Sequence, residues 1–199
     1  TGALTTTTNN TGTLAITGGT SNTATIASSV GSSGNALSSV TVADSTKAVF
    51  SSAVYANALT VGSGTTTFNA NVTGALSIGS TGGIVAFADG VTLTGALNNT
   101  SGGATGTINA SGALTVTGAI GASNAISTFN VKANNKVITF NDNASITSFN
   151  FGGNAGSSLL FGGANKTFTG AIVAGGSNAG IIDASTNSAT ITGDIGASG

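Results

Sequence analysis

The sequence contains no histidine, cysteine, arginine, glutamate, glutamine, methionine, tryptophan or proline. Without His or Cys, the usual ligands for zinc, haem and iron–sulfur clusters are missing, and Ser-His-Asp and Cys-His mechanisms have no base. Four lysines without any arginine give no basic surface of the size that nucleic acids require. These absences exclude most classes of enzyme, metalloprotein and nucleic-acid-binding protein.

Charged residues and long apolar runs are also scarce. The charged fraction is 5% and the formal net charge is −1. The longest apolar runs have four or five residues, as at 84–88, whereas a membrane helix needs about 18. The first residues show neither the basic flank nor the apolar segment of a signal peptide. We therefore expect a segment of a longer chain that does not span a membrane.

Small residues make up most of what is present. Gly (32), Thr (34), Ala (31), Ser (25) and Asn (21) account for 143 of the 199 residues. Such compositions are common in disordered chains, but 39% of this chain is apolar, much of it in short alternating runs. The lack of proline also suits a backbone whose N–H groups are used in strand ladders. Strand-like runs lie at 13–17, 23–27, 40–42, 91–94, 113–117, 136–140 and 189–192.

A repeat decides between the all-β folds. The tetrad Thr-Gly-Ala-Leu/Ile begins at residues 1, 73, 94, 117 and 169, and Thr-Gly-Asp-Ile begins at 192. From 73 onward the starts are one or two periods of about 22 residues apart, and a Phe series repeats at the same interval. This period, with its Gly and Asn turns, predicts a β-solenoid, a parallel β-helix of roughly nine coils formed by residues 1–199 as a single array. A β-sandwich remains the alternative, although it does not explain the repeat.

The shared period predicts a core ladder. The Leu and Ile residues of the tetrads should stack, and the periodic Phe residues should pack beside them. The expected ladder is Leu76, Leu97, Ile120, Ile172 and Ile195, with Phe129, Phe140, Phe151 and Phe161 nearby.

The chain offers no set of residues for catalysis, cofactor binding or metal binding. Its aspartates, Asp44, Asp89, Asp142, Asp183 and Asp194, are spread along the chain in turn-like contexts. Glycosidase carboxylates must lie within about 5–9.5 Å of each other, which this spacing does not favour. The glycine-rich run at 152–156 is not followed by the lysine of a phosphate-binding loop. We expect turn-capping aspartates, no enzymatic activity, no cofactor and no metal.

Thr-x-Thr pairs offer a different hypothesis. They occur at 5–8, 65–67, 92–94, 115–117 and 190–192, and flat ladders of such pairs are typical of ice-binding solenoids. Their register drifts along the chain, and many coils lack them. The ordinary interpretation is a solvent-facing β-branched residue that suits a strand.

Two segments resemble a known family. Thr94-Gly95-Ala96-Leu97-Asn98-Asn99-Thr100 and the run from Thr117 to Ala125 are similar to passenger repeats of rickettsial-type surface autotransporters, the outer membrane protein B group. Residues 85–95 share this style, and the resemblance is clear over 70–199 and looser over 1–69. It implies a secreted β-helical passenger on a Gram-negative cell surface, with a coat-like role and attachment to host cells. No catalytic motif is carried over.

These observations leave several functions open. The first is a non-catalytic structural and adhesive protein, located extracellularly on a bacterial surface. The second is a subunit that assembles with itself, end to end or laterally, into a filament or sheet; flanking coils of a longer chain could cover the same ends. A carbohydrate-active β-helix enzyme and an ice-binding solenoid are lesser alternatives. Expected partners are copies of the chain, flanking coils or a host-cell surface, but not nucleic acid.

Overall fold

The computed structural model describes residues 2–79, 81–176 and 179–196. Within these ranges the chain contains strands, turns and bends but no helix. The strands are β1 (Thr11–Ile16), β2 (Thr23–Ile26), β3 (Leu37–Val42), β4 (Lys47–Phe50), β5 (Val54–Val61), β6 (Thr65–Phe68), β7 (Val72–Ile78), β8 (Ile84–Phe87), β9 (Val91–Thr94), β10 (Leu97–Asn99), β11 (Thr105–Ala110), β12 (Leu114–Val116), β13 (Ile126–Val131), β14 (Val137–Phe140), β15 (Ala144–Asn150), β16 (Ser158–Phe161), β17 (Lys166–Val173), β18 (Ile181–Asp183) and β19 (Ala189–Thr192).

The strands form two parallel sheets that run along the molecule. One has the order β1-β3-β5-β7-β9-β12-β14-β16-β18, with β10 paired to β7. The other has the order β19-β17-β15-β13-β11-β8-β6-β4-β2. Because successive strands along the chain mostly alternate between the sheets, each turn of the chain lies on top of the one before. The predicted all-β parallel solenoid is confirmed.

Residues in register from turn to turn form inward ladders, three of which are numbered here. Ladder 1 is Leu14, Val40, Leu59, Leu76, Leu97, Ile120, Ala144, Phe168 and Ile191. Ladder 2 is Ala24, Ala48, Thr66, Val85, Ile108, Phe129, Phe149, Ile172 and Ile195. Ladder 3 is Leu4, Val30, Val54, Val72, Leu93, Val116, Phe140 and Phe161.

Ladder 1 measures the repeat directly. It makes eight steps between Leu14 and Ile191, so one turn takes about 22 residues, within the range of known solenoid repeats. The shortest step runs from Leu59 to Leu76 and the longest from Leu14 to Val40. The predicted period is confirmed. The eight steps of ladder 1 correspond to eight turns among the described residues, compared with the roughly nine coils expected.

Aromatic stacking fills much of the interior. Phe50, Phe68 and Phe87 lie one above another, with ring centroids 5.1 and 5.7 Å apart. Further along, the rings of Phe129 and Phe149 stack at 4.9 Å. All nine phenylalanines are buried, so the predicted inward positions of Phe129, Phe140, Phe151 and Phe161 are correct. Stacked rings at this spacing match the separation of adjacent strands, about 4.8 Å.

The predicted Leu/Ile ladder is only partly correct. Leu76, Leu97 and Ile120 stack in ladder 1 as expected. Ile172 and Ile195 belong instead to ladder 2, and Ile195 is 60% exposed at the end of the solenoid. The tetrad therefore marks a type of corner and not one fixed ladder. The tetrads that begin at 73, 94 and 117 link ladder 3 to ladder 1, and those at 169 and 192 link ladder 1 to ladder 2, whereas the first tetrad ends at Leu4 in ladder 3.

The tetrad glycine explains why this corner recurs. Gly74, Gly95, Gly170 and Gly193 have φ between 132° and 144°, a conformation that residues with a Cβ rarely adopt. A Cβ on Gly95 would lie 2.2 Å from the carbonyl oxygen of Gly74 in the turn below. Only glycine allows the backbone to bend here while adjacent turns stay at strand spacing.

Candidate functional surfaces

The aspartates connect one turn to the next. Asp44 Oδ1 accepts hydrogen bonds from the backbone N–H of Ser63 at 2.9 Å and from the Thr81 hydroxyl at 3.0 Å. Asp89 Oδ1 accepts the N–H of Ala113, one turn later, at 2.7 Å. These bonds satisfy backbone donors at corners, where the strand ladder is interrupted. Asp44 and Asp89 therefore perform the predicted turn-capping role.

Asparagine side chains repeat the same contact on other turns. The Oδ1 atoms of Asn71, Asn98 and Asn143 accept the backbone N–H of Thr92, Ala122 and Thr167, each at 2.9 Å. The partners are 21, 24 and 24 residues apart in sequence, which is one turn. The sequence pattern predicts Asn in turns but does not reveal this bridging role. The sequence spacing of these Asn residues is uneven, 27 and 45 residues, and gives no clear signal for this role.

Two lysine–aspartate pairs strengthen the same corners. Lys136 Nζ lies 2.7 Å from Asp89 Oδ2, and Lys166 Nζ lies 3.0 Å from Asp142 Oδ1. Lys136 and the Ala113 N–H lower the pKa of Asp89, and Lys166 and the Asn143 N–H lower the pKa of Asp142. Because these side chains are partly exposed, each ion pair contributes little by itself.

The remaining two aspartates differ from each other. The hydroxyl and N–H of Ser185 lower the pKa of Asp183, which lies at the end of β18. Asp194 follows Gly193 at a tetrad corner in the last described turn. In both, the neighbourhood is a turn and not a cleft.

The described residues contain no group of three or more His, Cys, Asp or Glu side chains that could hold a metal ion. The carboxylates of Asp44, Asp89 and Asp142 already accept N–H, hydroxyl or lysine donors. A carboxylate whose pKa is lowered in this way carries no proton near neutral pH, so it is poorly suited to act as a general acid. Absence of catalysis, cofactor and metal stays a prediction.

A buried polar cluster fixes the loop after β10 and the loop before β13. Asn99 is 2% exposed, and its Nδ2 donates to the carbonyl oxygens of Gly103, Asn124 and Ala125. Its Oδ1 accepts from the backbone and the hydroxyl of Ser101, both at 2.9 Å. The cluster ties the loop after β10 to the loop of the following turn. Its polar atoms are satisfied internally, so it stabilises the loops without presenting groups to a ligand.

A shallow concavity lies beside the second of these loops. Phe129 follows Ile120 by nine residues, whereas Phe149 follows Ala144 by five, so the corner between ladders 1 and 2 becomes abruptly tighter. The step leaves an open depression of about 480 Å³ beside Ser123, Asn143, Ser145 and Thr169. No charged or aromatic side chain lines it. The depression is a neutral, shallow feature of the surface.

The threonine ladder is short. Thr92, Thr115 and Thr139 lie in register on three successive turns, and Leu160 occupies the next position. A flat array of hydroxyls along the whole rod is therefore not formed by these residues. In this register, the described residues supply no ladder of the length on which the ice-binding alternative depends.

Exposed apolar side chains occur in the terminal turns and at two positions along the rod. Leu4 in the first turn and Ile181 and Ile195 in the last are 44%, 54% and 60% exposed. Val137 and Ile84 are exposed along the middle of the rod. None of the described segments is a helix that is long and apolar enough to cross a membrane.

Comparison with known proteins gives one informative similarity. The chain is similar to outer membrane protein A of Rickettsia rickettsii, with 33% identity over 142 residues. The match covers 69% of the chain but 6% of the relative, so the chain corresponds to a small part of that protein's length. No family model matches the chain. No solved structure matches it.

This similarity supports a relationship to a rickettsial surface protein. It does not support the finer resemblance drawn from the sequence, because the relative is an outer membrane protein A and not a member of the outer membrane protein B group. The repeats that carried the resemblance are the tetrad corners described above, and corners of this kind follow from solenoid geometry as well as from ancestry.

Proposed function

We propose that the chain is a non-catalytic structural and adhesive segment of a bacterial cell-surface β-helix, of the passenger type found in autotransporters. The observation that carries the proposal is the similarity to a rickettsial outer membrane protein over 69% of the chain, joined to the parallel solenoid fold. The segment works as a single repeat array within a longer protein, as the small share of the relative that it matches supports.

The fold suits an extended surface protein for physical reasons. Each turn contacts only its neighbours, so turns can fold one after another as a chain emerges from a membrane, without an energy source outside the cell. The corners are closed by neutral Asn contacts and exposed Asp and Lys pairs, and no disulfide is needed. With 5% charged residues, the surface depends little on salt.

Absence of catalysis is part of the proposal. The name of the relative, outer membrane protein A, describes no activity. The aspartates of this chain are engaged in corners on different turns, as Asp44, Asp89 and Asp142 show. A carbohydrate-active β-helix would instead need a pair of carboxylates facing one substrate bond.

Surface location is tested with an antibody raised against the folded chain. We expect the antibody to label intact bacteria of the source strain, and we expect mild protease treatment of intact cells to remove the signal. Labelling that appears only after lysis would contradict a surface role. An antibody against a cytosolic protein of the same cells is the control for leakage.

Adhesion is tested separately with beads that carry the purified chain. We expect these beads to bind cultured host cells more than beads carrying the same chain after thermal unfolding. Equal binding by both preparations, or by neither, would contradict the adhesive part and leave a coat role. Because the surface is nearly uncharged, binding should persist when the salt concentration is raised from about 0.15 to 0.5 M.

A further inference from the structure

The depression beside the loop at 121–125 combines a wall and a floor of different origin. The loop is the wall. The floor is formed by the tight corners of the next two turns, which carry Asn143, Ser145, Thr167 and Thr169. The volume of about 480 Å³ lies within the range of small-ligand sites, about 300–1,000 Å³. The depression is therefore large enough to hold a small molecule or part of a larger one.

Hydrogen bonds to the preceding turn hold the wall in place. The N–H of Ala122 donates to Asn98 Oδ1 at 2.9 Å. The buried Asn99 side chain donates to the carbonyl oxygens of Asn124 and Ala125. A wall that is fixed before binding loses little conformational freedom when a ligand arrives, and this favours affinity.

The floor presents polar groups that the protein does not use. In the part of the chain that the structure describes, the hydroxyls of Ser145, Thr167 and Thr169 make no hydrogen bond. The same holds for the hydroxyl of Ser123 in the wall. Asn143 Oδ1 accepts the N–H of Thr167, whereas the two donors of Asn143 Nδ2 have no partner among the described residues. Four hydroxyls and one amide NH₂ thus face a single depression without internal partners.

The strand register sets the spacing of these groups. Ser145 pairs with Thr169 on the adjacent strand, so their backbones are about 4.8 Å apart. Thr167 and Thr169 lie on either side of the buried Phe168 in β17, so both point outward, about 6.6 Å apart along the strand. A ring that carries several hydroxyl groups can reach more than one of these positions at once.

The rest of the lining is apolar and uncharged. The methyl groups of Ala119, Ala122 and Ala125 contribute to it, and none of the lining residues is charged. Phosphate, sulfate or carboxylate groups would find no lysine or arginine here, so an anionic ligand gains nothing from the site. A neutral sugar matches both parts of the lining, because it has hydroxyl groups at the ring edge and C–H groups on the ring face.

An extended peptide suits the depression less well. Peptides commonly bind to sheets by adding a strand to an open edge. Among the described strands, β15 already pairs with β13 and β17, and β17 pairs with β15 and β19. The backbone groups of the floor are therefore used within the sheet, and only side chains remain to make contacts.

From the fixed wall, the free hydroxyl and amide groups and the neutral lining, we infer that the depression binds neutral saccharides. The inference rests on the proposed adhesive function and deepens it, because it names neutral glycans as the chemistry recognised on a host surface. Since no aromatic ring lines the depression, one site binds with a Kd on the order of 1–10 mM. Many copies on one cell would raise the overall strength of attachment.

The test records ¹H–¹⁵N spectra of the labelled chain during titration with glucose, galactose, mannose, fucose, N-acetylglucosamine and lactose, each to about 50 mM. We expect at least one sugar to shift the amide signals of residues 121–125, 143–145 and 167–169, with little change elsewhere. Absence of shifts with all six sugars, or shifts confined to another surface, would overturn the inference. So would equal shifts from a blocked Ala-Ser-Ala tripeptide, or tighter binding of the anionic N-acetylneuraminic acid.

Variants then connect binding to the floor. The double variant Thr167→Val and Thr169→Val removes two hydroxyls and keeps their shape, so the most strongly bound sugar should bind at least about fivefold more weakly. The control is Thr65→Val and Thr107→Val, two half-buried threonines on β6 and β11 that do not line the depression. Ser145→Ala is a second, independent floor variant and should also weaken binding. Unchanged affinity in both floor variants, or an equal loss in the control, would overturn the inference, and melting curves verify that all variants are folded.

Failure of this inference differs from failure of the proposed function. Sugar binding is measured on the isolated chain, whereas surface location is measured with the antibody on intact bacteria. Beads that adhere to host cells through a chain that binds none of the sugars would overturn the saccharide site and leave the adhesive role. Sugar binding by a chain that the antibody detects only after lysis would overturn the surface role and leave the site.

Discussion

At the scale of single residues, the tetrad glycines have tightly constrained backbone conformations. In Gly95 two requirements coincide, a φ of +144° and a neighbouring carbonyl oxygen 2.2 Å from where a Cβ would stand. We expect Gly95→Ala to lower the free energy of unfolding by at least about 1–3 kcal/mol, the cost of forcing such a backbone conformation on a residue with a side chain. Displacement of the Gly74 turn adds to this. Denaturant unfolding followed by circular dichroism measures the change.

The matched control for this prediction is Gly153→Ala. Gly153 does not have a positive φ, and no atom lies within 4 Å of the position that its added methyl group would take. We expect its unfolding free energy to stay within about 0.5 kcal/mol of the parent, as for most surface substitutions. Equal effects of the two substitutions would show that the corner is not the constraint described here.

The carboxylates predict how stability depends on pH. The pKa values of Asp44, Asp89, Asp142 and Asp183 all lie below the ordinary value of 3.8. A carboxyl with a lowered folded-state pKa contributes stability that is fully present above 3.8 and is lost as the pH falls through the lower folded value. Because the chain has no His, Cys or Glu, we expect a melting temperature that is nearly constant from about pH 5 to 9 and falls below about pH 4.

Replacing two of these carboxylates by amides tests their contribution to the pH dependence of stability. The double variant Asp89→Asn and Asp142→Asn keeps an oxygen that can accept the N–H groups of Ala113 and Asn143 but loses the charge. We expect it to show a weaker decrease of melting temperature on acidification than the parent. A main transition near pH 6–7 would contradict the assignment, since no side chain of this sequence ordinarily titrates there.

At the scale of strands, one buried ring tests the inward assignment. Phe140 is 1% exposed in β14 and packs edge-on to Phe129 and Phe149 at 5.5 and 5.9 Å. We expect Phe140→Ala to cost roughly 3–5 kcal/mol of unfolding free energy, measured by chemical denaturation. Val137→Ala, on the exposed side of the same strand, is the control and should change it by less than about 0.5 kcal/mol. An unchanged stability of Phe140→Ala would refute the ladder.

Most of the expected strands could be predicted from the sequence pattern. The strand expected at 91–94 is β9, Val91–Thr94, and that expected at 189–192 is β19, Ala189–Thr192. Most others differ by one or two residues at their ends, as for β14, which begins at Val137 and not at Lys136, whereas β3 begins at Leu37, three residues before the expected start. Alternation of apolar and small polar residues is a local property, so it can be recognised without knowing the neighbours.

Ladder assignment could not be derived in the same way. The tetrads ending in Ile120 and Ile172 look alike, yet they lie in ladders 1 and 2. The difference arises because Ile120 follows Val116 of ladder 3 by four residues, whereas seven residues separate Phe161 from Phe168. Which corner a tetrad occupies depends on the lengths of the other corners in that turn. Asn and Asp side chains in the turns hydrogen-bond to the next turn. These bonds depend on the same corner lengths, so they could not be predicted from the sequence either.

At the scale of the whole molecule, stability should not require a metal. In the described residues the carboxylates are spread over different turns, and no cluster of metal-binding side chains occurs. We expect a chelator such as EDTA to leave the melting temperature unchanged within about 1 °C, because a folded state without a bound metal gains nothing from one. Addition of millimolar Ca²⁺ to the chelated protein serves as the reverse control. A drop with chelator that Ca²⁺ restores would reveal a metal site and refute this prediction.

The tetrad corners also make whole turns exchangeable. Removing residues 95–117 would join Thr94 to Gly118, and the junction Thr94-Gly118-Ala119-Ile120 would again be a tetrad that enters ladder 1. The excised segment is one turn, so the ladders on either side would meet in register. A gene with such junctions can gain or lose units by unequal recombination while its product still folds. The length of the rod, and with it the distance that a surface molecule reaches from its cell, can then change in steps of about 4.8 Å without altering any contact within a turn.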